Sequence, residues 1–320
     1  MQAESGASFM RVVLVDPSRT VLKFVGRLLE ARDHEVRAFT DAQAALDYIR
    51  SDLKVGALIT SAELISMSGI ELCWETRLLA TCDRPIYVIV MSSSRDRHNL
   101  IEALDSGADD YIGKPPVAEE LYARLRAAER VATMQQELVR LATTDSLTVV
   151  FNRRAFFERA REACARAEAG AAPSAILFDI DHFKRVNDLY GHDVGDRAIA
   201  AVAHAAAAES ALIGRLGGEE FAIVLPQQGL DDAVAVAERL CGKISALQFD
   251  TSHGPLTITA SFGVSTWEAG DTIELMLKRA DVALYAAKTG GRNCVVAADA
   301  NRPVPDLAPP GSRLRAVARG

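Results

Sequence analysis

Short apolar runs alternate with helix-patterned stretches through the first 115 residues of this chain. The runs are Val12–Val15, Val36–Phe39, Ala57–Thr60, Ile86–Met91 and Asp110–Ile112. None of them alternates cleanly between apolar and polar residues, which is typical of parallel strands buried on both faces. The pattern predicts a doubly wound α/β domain over residues 10–116, with ligands expected at the carboxyl ends of the strands.

The chain from 145 to 299 mixes strands and helices in a different way. Strands are predicted at Ala175–Phe178, Leu212–Leu216, Phe221–Leu225, Leu256–Val264 and Asn293–Ala297, and helices at Asp196–Glu209, Leu230–Leu247 and Thr272–Lys288. Gly217 and Gly218 between two of the strands predict a hairpin. A hairpin within a sheet that helices cover predicts an α+β domain.

Residues 117–144 contain no strong helix breaker, and their apolar residues recur at helical spacing. These residues are Leu121, Leu125, Ala128, Ala132, Leu138 and Leu141. We expect one long helix, about 40 Å if unbroken, that joins the two domains. Its apolar stripe is interpreted as a helix–helix seam, and the alternative is that it packs on its own domain.

Composition argues against several classes of protein. The chain has 36 basic and 43 acidic residues and a net charge of −7, without the basic excess of a nucleic-acid-binding surface. No apolar run approaches the roughly 18–20 residues that cross a bilayer, so membrane insertion is not expected. Five scattered cysteines fit neither a disulfide framework nor a zinc site, which favours the cytoplasm. The proline-rich residues 300–320 are predicted to be disordered.

Acidic residues follow one predicted strand of the second domain. Asp179 and Asp181 stand at its end, and a predicted polar loop with a lysine, an asparagine and further acids leads to Asp196. Carboxylates at a buried strand end are costly to desolvate unless they hold a cation, and Mg²⁺ prefers oxygen ligands. Lys184 would then meet phosphate charge. The alternative is a solvated acidic loop.

Glu219 and Glu220 directly follow the two glycines of the predicted hairpin. Glycines at this position permit positive φ and let a bulky ligand approach the backbone N–H groups. The two glutamates could join Asp179 around a metal if the hairpin lies beside the first strand. Alone, this segment indicates only a hairpin, but together with the Asp179–Asp196 segment it indicates a specific site.

Residues 145–299 resemble the GGDEF-type diguanylate cyclases, in the variant with glutamate as the third motif residue. The matching segments are Asp145–Thr148, Asn152–Arg154, Asp179–Asp196, Arg215–Phe221 and Ala287–Asn293. The resemblance implies a ferredoxin-like fold and the condensation of two GTP molecules into cyclic di-GMP with release of pyrophosphate. Each domain would bind one GTP, so catalysis would require a homodimer.

The resemblance also implies roles for the matching residues. Asp179 and Glu220 would bind Mg²⁺, with Mn²⁺ as an alternative, together with the backbone carbonyl of Ile180. Glu219 would be a further metal ligand or the group that activates the attacking 3′-hydroxyl. With Lys184, the two glutamates form the implied catalytic set.

The nucleotide contacts are implied in the same way. The β- and γ-phosphates would be held by Phe183, Lys184, Lys288 and Arg292. The base would be read by Asn187 and Asp196, because one carboxylate can accept both guanine N1–H and its exocyclic amine. Gly217 and Gly218 would lie against the substrate.

Two departures from the family are visible. Product-inhibited members carry Arg-x-x-Asp before the hairpin, whereas this chain has Ala208–Ala211 there, so that product site is not expected. Val149 stands where the family has glycine, which puts the geometry of that turn in question.

The first domain resembles the response-regulator receivers through Val15–Thr20, Met67–Gly69, Ser92 and Gly107–Pro115. Receivers use an acidic pair for magnesium, a phosphoacceptor aspartate, a Ser/Thr and a lysine. Asp16, Ser92 and Lys114 match this set. Pro17 replaces the second acid, and Ser61 stands at the phosphoacceptor position.

Serine has no ionised oxygen near neutral pH, and Asp16 alone would have to hold the cation. We therefore expect a pseudo-receiver that does not accept phosphate and that serves dimerisation or a signalling protein partner. Glu63 is an alternative carboxylate at a different register.

The sequence is compatible with two classes of function. One is an active cyclase, and the other is a non-catalytic signalling module that binds GTP, cyclic di-GMP or a protein. The intact hairpin acids favour the enzyme.

Overall fold

The computed structural model describes residues 10–81, 84–93, 97–165, 172–252 and 254–298. The chain divides into two compact units, with the boundary between Arg140 and Leu141. The predicted disordered tail, residues 300–320, lies outside the described residues. In the described part of the chain, no helix is both long enough and apolar enough to cross a bilayer.

The first unit has a five-stranded parallel sheet of order β2-β1-β3-β4-β5. The strands are β1 Arg11–Val15, β2 Glu35–Phe39, β3 Val55–Ser61, β4 Tyr87–Ser92 and β5 Asp110–Gly113. The helices are α1 Arg19–Glu30, α2 Ala42–Ser51, α3 Gly69–Leu79, α4 Arg97–Asp105 and α5 Ala118–Thr143. This confirms the doubly wound prediction.

Strand β1 is apolar throughout because its side chains enter two different core clusters in turn. Val13 and Val15 belong to one buried cluster, while Val12 and Leu14 belong to another. Successive side chains of a strand point to opposite faces, so both faces of this sheet are covered.

Helix α5 has two distinct halves. In the first half, Leu121, Leu125 and Ala128 are buried in one core cluster of the first unit. In the second half, four apolar side chains are 42–66% exposed. This apolar stripe consists of Val131, Met134, Leu138 and Leu141. The first half therefore packs on its own domain, as the alternative interpretation proposed, and a helix–helix seam along the second half stays a prediction.

The second unit has a mixed six-stranded sheet of order β13-β12-β7-β9-β8-β6 and a separate β10-β11 pair. The strands are β6 Phe151–Asn152, β7 Ser174–Ile180, β8 Ile213–Gly217, β9 Glu220–Leu225, β10 Gln248–Thr251, β11 Gly254–Thr257, β12 Ala260–Thr266 and β13 Val295–Ala297. The helices are α6 Arg153–Ala165, α7 Phe183–Tyr190, α8 His192–Ala207, α9 Leu230–Ser245 and α10 Ile273–Thr289. The α+β prediction is confirmed.

Two sequence predictions in this unit were wrong. The segment after Asp181 is the helix α7 rather than a polar loop, because Phe183 and Val186 are buried on one side of it. The strand predicted over Leu256–Val264 is two strands in different sheets. They separate where the carbonyl of Thr259 accepts from the backbone N–H of Asp181 at 2.8 Å.

Candidate active site

Two acidic residues face each other at the centre of the second sheet. Asp179 on β7 is the register partner of Glu220 on the antiparallel strand β9. Directly opposite residues of an antiparallel pair point to the same face, with Cβ atoms about 4.5–5.5 Å apart. The hairpin strand β9 therefore lies beside β7, as a metal site shared by Asp179 and the hairpin glutamates requires.

Burial raises the pKa of both carboxyls. It raises the pKa of Asp179, although the hydrogen bond from Lys288 lowers that pKa. Burial also raises the pKa of Glu220, and the charges of Asp281 and Asp179 raise it further. The Nζ atom of Lys288 lies 2.8 Å from Oδ1 of Asp179. Both acids are half-buried, and a bound cation would stabilise them as anions.

The donor set suits magnesium. Across the described ranges, no group of three or more His, Cys, Asp or Glu side chains is arranged to hold a metal. The site is thus a carboxylate pair rather than a protein cage, and Mg²⁺ typically uses one or two carboxylates with substrate phosphates and water. Glu219 lies in the turn before β9, and its charge raises the pKa of Asp179.

The hairpin apex is tied to the start of the unit by one arginine. Gly218 has φ +47°, and its carbonyl accepts from Nε of Arg215 at 2.9 Å. Nη1 of Arg215 donates to Oδ1 of Asp145, also at 2.9 Å. The same Asp145 oxygen accepts from the backbone and hydroxyl of Thr148. The glycine turn is consequently held in one position relative to residues 145–148.

Helix α7 begins at Phe183, four residues after Asp179. The Phe183 side chain is only 7% exposed and belongs to the core, so only its backbone N–H, in the first turn of α7, is available for phosphate. Lys184 is exposed beside it. The first-turn N–H groups of a helix and a lysine together form an anion-binding arrangement.

The two expected base-reading residues lie on neighbouring helices. Asn187 is on α7, and its Oδ1 is buried without a hydrogen-bond partner among the described residues. A Cβ at Gly195 would lie 1.9 Å from that oxygen, so the glycine makes room for the amide. Asp196, the next residue of α8, is exposed. The unpaired amide oxygen of Asn187 and the exposed carboxylate of Asp196 are both acceptors, and N–H donors of a heterocyclic base could bind to them.

Lys288 and Arg292 flank the end of α10. Gly291, Arg292 and Asn293 have φ values of 125°, 66° and 47°, so the chain turns sharply there. Arg292 is exposed, and its backbone N–H donates to the carbonyl of Ala287 at 3.0 Å. Lys288 contacts Asp179 directly, whereas Arg292 has no such contact with either carboxylate.

Sequence reasoning missed two charged residues near the pair. The charge of Asp281 raises the pKa of Glu220, and that of Arg153 lowers it. Arg153 also lies over the ring of Phe157, 5.4 Å from its centroid. Arg153 was inside a matched motif but carried no assigned role, and Asp281 is separated from Lys288 by two helical turns, a spacing that would have placed both on one face.

Val149 adopts the turn that the family makes with glycine. Its φ is +61°, and its N–H donates to the carbonyl of Asp145 at 2.9 Å. A β-branched residue in the left-handed region is strained, so the geometry survives the substitution at an energetic cost.

The structure brings the four predicted residues of the first-unit pocket together with a fifth. Lys114 Nζ lies 2.7 Å from Oδ2 of the buried Asp16 and also donates to the hydroxyl of Ser61. Glu63 enters the same pocket, where its Oε1 accepts from the hydroxyl of Ser92 at 2.9 Å. Its Oε2 lies 3.5 Å from Lys114 Nζ. Glu63 was the alternative carboxylate that the sequence offered, although at a different register.

The Ser61 hydroxyl is fully engaged with its neighbour. It donates to the carbonyl of Glu63 at 2.9 Å and accepts from the backbone N–H of Glu63 at 3.1 Å. The interactions with Lys114 and Ser92 lower the pKa of Glu63. An ionised Glu63 therefore shares the pocket with Lys114 and Asp16.

Comparison with known families assigns both units. Residues 142–294 match the family described as diguanylate cyclase, GGDEF domain, and residues 12–126 match the response regulator receiver domain. The chain is 38% identical over 227 residues to the response regulator PleD of Caulobacter vibrioides, covering 67% of this chain and 50% of PleD. It is 38% identical over 169 residues to the diguanylate cyclase DgcM of Escherichia coli, covering 52% of this chain and 40% of DgcM. The chain thus spans half or less of these relatives.

A solved structure supports the same assignment. The coiled coil and GGDEF domain of DgcB from Caulobacter crescentus, in complex with c-di-GMP, is 36% identical with a TM-score of 0.51. The match covers 56% of this chain and 99% of that one. The chain therefore belongs to the GGDEF family and carries a response regulator receiver domain before its GGDEF domain.

Proposed function

We propose that this chain is a diguanylate cyclase that condenses two GTP molecules into cyclic di-GMP and pyrophosphate. The observation that carries the proposal is the register pairing of Asp179 with Glu220 beside Lys288. In each condensation, a 3′-oxygen forms a bond to the α-phosphorus of the other nucleotide. The bond from that phosphorus to the β-phosphate bridge breaks, and pyrophosphate leaves. Glu219, in the turn beside the pair, is suited to accept the proton of the 3′-hydroxyl.

Asp179, Glu220 and the carbonyl of Ile180 would hold magnesium in this proposal, with manganese as an alternative. Bound there, the cation would lower the pKa of the attacking hydroxyl and neutralise phosphate charge. Lys288 now neutralises Asp179 at 2.8 Å, and a cation on Asp179 would release it toward the phosphates. Lys184, Arg292 and the first-turn N–H of Phe183 would hold the remaining phosphate oxygens.

Asn187 and Asp196 would select guanine. The Asn187 Oδ1 atom lacks a hydrogen-bond partner within the described ranges, and a guanine donor would satisfy it. Asp196 can accept N1–H and the exocyclic amine together, a donor pair that adenine does not present. Gly217 and Gly218 leave open space beside the backbone, which supports close approach of the nucleotide.

A homodimer would bring two such half-sites together. The apolar stripe of α5 supports it, because Val131, Met134, Leu138 and Leu141 follow the 3–4–3 spacing of a coiled-coil seam. A second copy of the same stripe is the occupant that this spacing fits.

The first unit would regulate the enzyme without accepting phosphate. Ser61 replaces the carboxylate that forms an acyl phosphate, and its hydroxyl is engaged by Glu63. The Glu63 carboxylate accepts a hydrogen bond from Ser92 and forms an ion pair with Lys114, so the pocket already contains a negative group. The pseudo-receiver would then act in dimerisation or in binding a signalling protein. The four free cysteines of the described residues favour a cytoplasmic location.

The test is product formation. Purified protein is incubated with GTP and Mg²⁺, and nucleotides are separated by chromatography. We expect cyclic di-GMP from the native protein, none above background from the Glu220→Gln variant, and specific activity that rises with protein concentration. If native protein and variant give the same background while GTP still binds, the alternative of a non-catalytic nucleotide-binding module is correct.

A further inference from the structure

We propose that Asp181 is a positioning residue that fixes the turn carrying Arg292 for triphosphate binding. This inference rests on the proposed function and assigns a residue that has no role in it so far. Asp181 follows β7, two residues after Asp179, and is 6% exposed.

The carboxylate of Asp181 is a hub of three hydrogen bonds. Its Oδ1 accepts from the hydroxyl of Ser261 at 2.7 Å. Its Oδ2 accepts from the hydroxyl of Thr259 at 2.8 Å and from the backbone N–H of Asn293 at 3.1 Å. All three donors are neutral groups, two hydroxyls and one backbone N–H. A carboxylate that accepts several such bonds is held in one orientation.

The Asn293 contact reaches a strained turn. Arg292 and Asn293 both have positive φ, at 66° and 47°, and neither is glycine. Such a conformation persists only where surrounding contacts impose it. Here the contacts are the bond from Arg292 N–H to Ala287, the bond from Asn293 N–H to Asp181, and the Cys241 Sγ contact with Asn293 Oδ1 at 3.5 Å.

Asp179 and Asp181 therefore hold the two ends of the turn that follows α10. Asp179 pairs with Lys288 at the end of α10, and Asp181 binds Asn293 beyond it. Arg292 lies between these two anchors, and its exposed side chain contributes to neither of them. The backbone of Arg292 is thus fixed, while its guanidinium has no ion pair within the described part of the chain and could meet a phosphate. The charge of Asp181 also raises the pKa of Asp179, so the two acids are electrostatically coupled.

The experiment compares nucleotides of different phosphate number on the full-length protein. Asp181→Asn preserves size but turns one acceptor oxygen into a donor, which cannot serve all three partners. Ser261→Ala is the matched control, because it removes one buried hydrogen bond of the same hub and leaves the Asn293 contact. Binding of GTP and of GMP with Mg²⁺ is measured by calorimetry, together with melting temperature.

We expect Asp181→Asn to weaken GTP binding about tenfold, the loss of one charge-assisted contact, and to leave GMP binding unchanged. Ser261→Ala should change neither. Combined with Arg292→Ala, Asp181→Asn should add no further loss, and hydrogen exchange at the Asn293 amide should accelerate in the single variant. Equal losses for GTP and GMP, or additive losses in the double variant, would overturn the inference. Native protein that binds GTP but forms no cyclic di-GMP would refute the proposed function. The comparison of GTP and GMP binding would still test the role of Asp181.

Discussion

Asp179 and Glu220 stand opposite each other in the antiparallel β7–β9 pair, and burial raises the pKa of both carboxyls. A carboxyl whose pKa is higher in the folded state than in the unfolded chain stabilises the fold when protonated. That contribution is lost as the pH rises through the folded pKa. At neutral pH the pair therefore costs stability that a cation would restore.

Glu220→Gln should raise the melting temperature at pH 7 in EDTA by about 2–4 °C, the shift that ~1 kcal/mol produces in a protein of this size. The gain should vanish below about pH 4, where the native glutamate is itself protonated. Magnesium should stabilise the native protein and not the variant. Scanning calorimetry with and without Mg²⁺ measures both effects. Asp250→Asn, at an exposed carboxylate of β10, is the control, and an equal response of control and variant would contradict the prediction.

Val149→Gly should stabilise the second unit by about 1 kcal/mol, because glycine adopts the left-handed conformation without the clash of a β-branched side chain. Val149→Ala is the matched control and should recover less, since alanine keeps its Cβ. Urea unfolding followed by circular dichroism measures the difference. A Val149→Gly protein no more stable than the alanine variant would show that φ +61° costs nothing here.

Acetyl phosphate with Mg²⁺ should leave the native protein unlabelled in Phos-tag electrophoresis. Ser61 lacks an ionised oxygen, and its hydroxyl is bound to the backbone of Glu63. Glu63→Gln, tested in parallel, distinguishes the two candidate acceptors. Stoichiometric label that disappears in this variant would identify Glu63 as a phosphoacceptor. Label that persists would identify another acceptor group. Either result would contradict the prediction that the first unit does not accept phosphate.

Met134→Glu combined with Leu138→Glu should shift the protein toward monomer in analytical ultracentrifugation and lower specific activity at least tenfold at a fixed concentration. The reason is that each substitution places a charge in the proposed helix seam. Gln136→Glu adds the same charge to the exposed helix away from the stripe and should change neither quantity. The prediction fails if the double variant remains as associated as this control.

The strand ends of the candidate site were predictable because buried strands are apolar and carboxylates cannot be buried without a partner. Asp179 could be placed at a strand end from that contrast alone, and Gly217 with Gly218 predicted the hairpin. Helix α7 was missed although Phe183, Val186 and Tyr190 recur at helical spacing and pack on the core. The charged and polar residues between them were interpreted as a ligand-binding loop.

Glu63 shows a different limit of sequence reasoning. Strand alternation would place Glu63 on the same face as Ser61, but β3 ends at Ser61 and Glu63 lies beyond the strand. Once the backbone leaves the strand, alternation no longer determines direction. Hydrogen bonds to Ser92 and Lys114 then fix where the side chain points.

The close approach of Gly195 to Asn187 links helix α8 to a residue with a proposed role in base recognition. Because a methyl group at position 195 would collide with the amide oxygen that the glycine accommodates, any larger residue there would displace the Asn187 side chain. Under the proposed role of Asn187, position 195 would therefore act on nucleotide preference without touching the base.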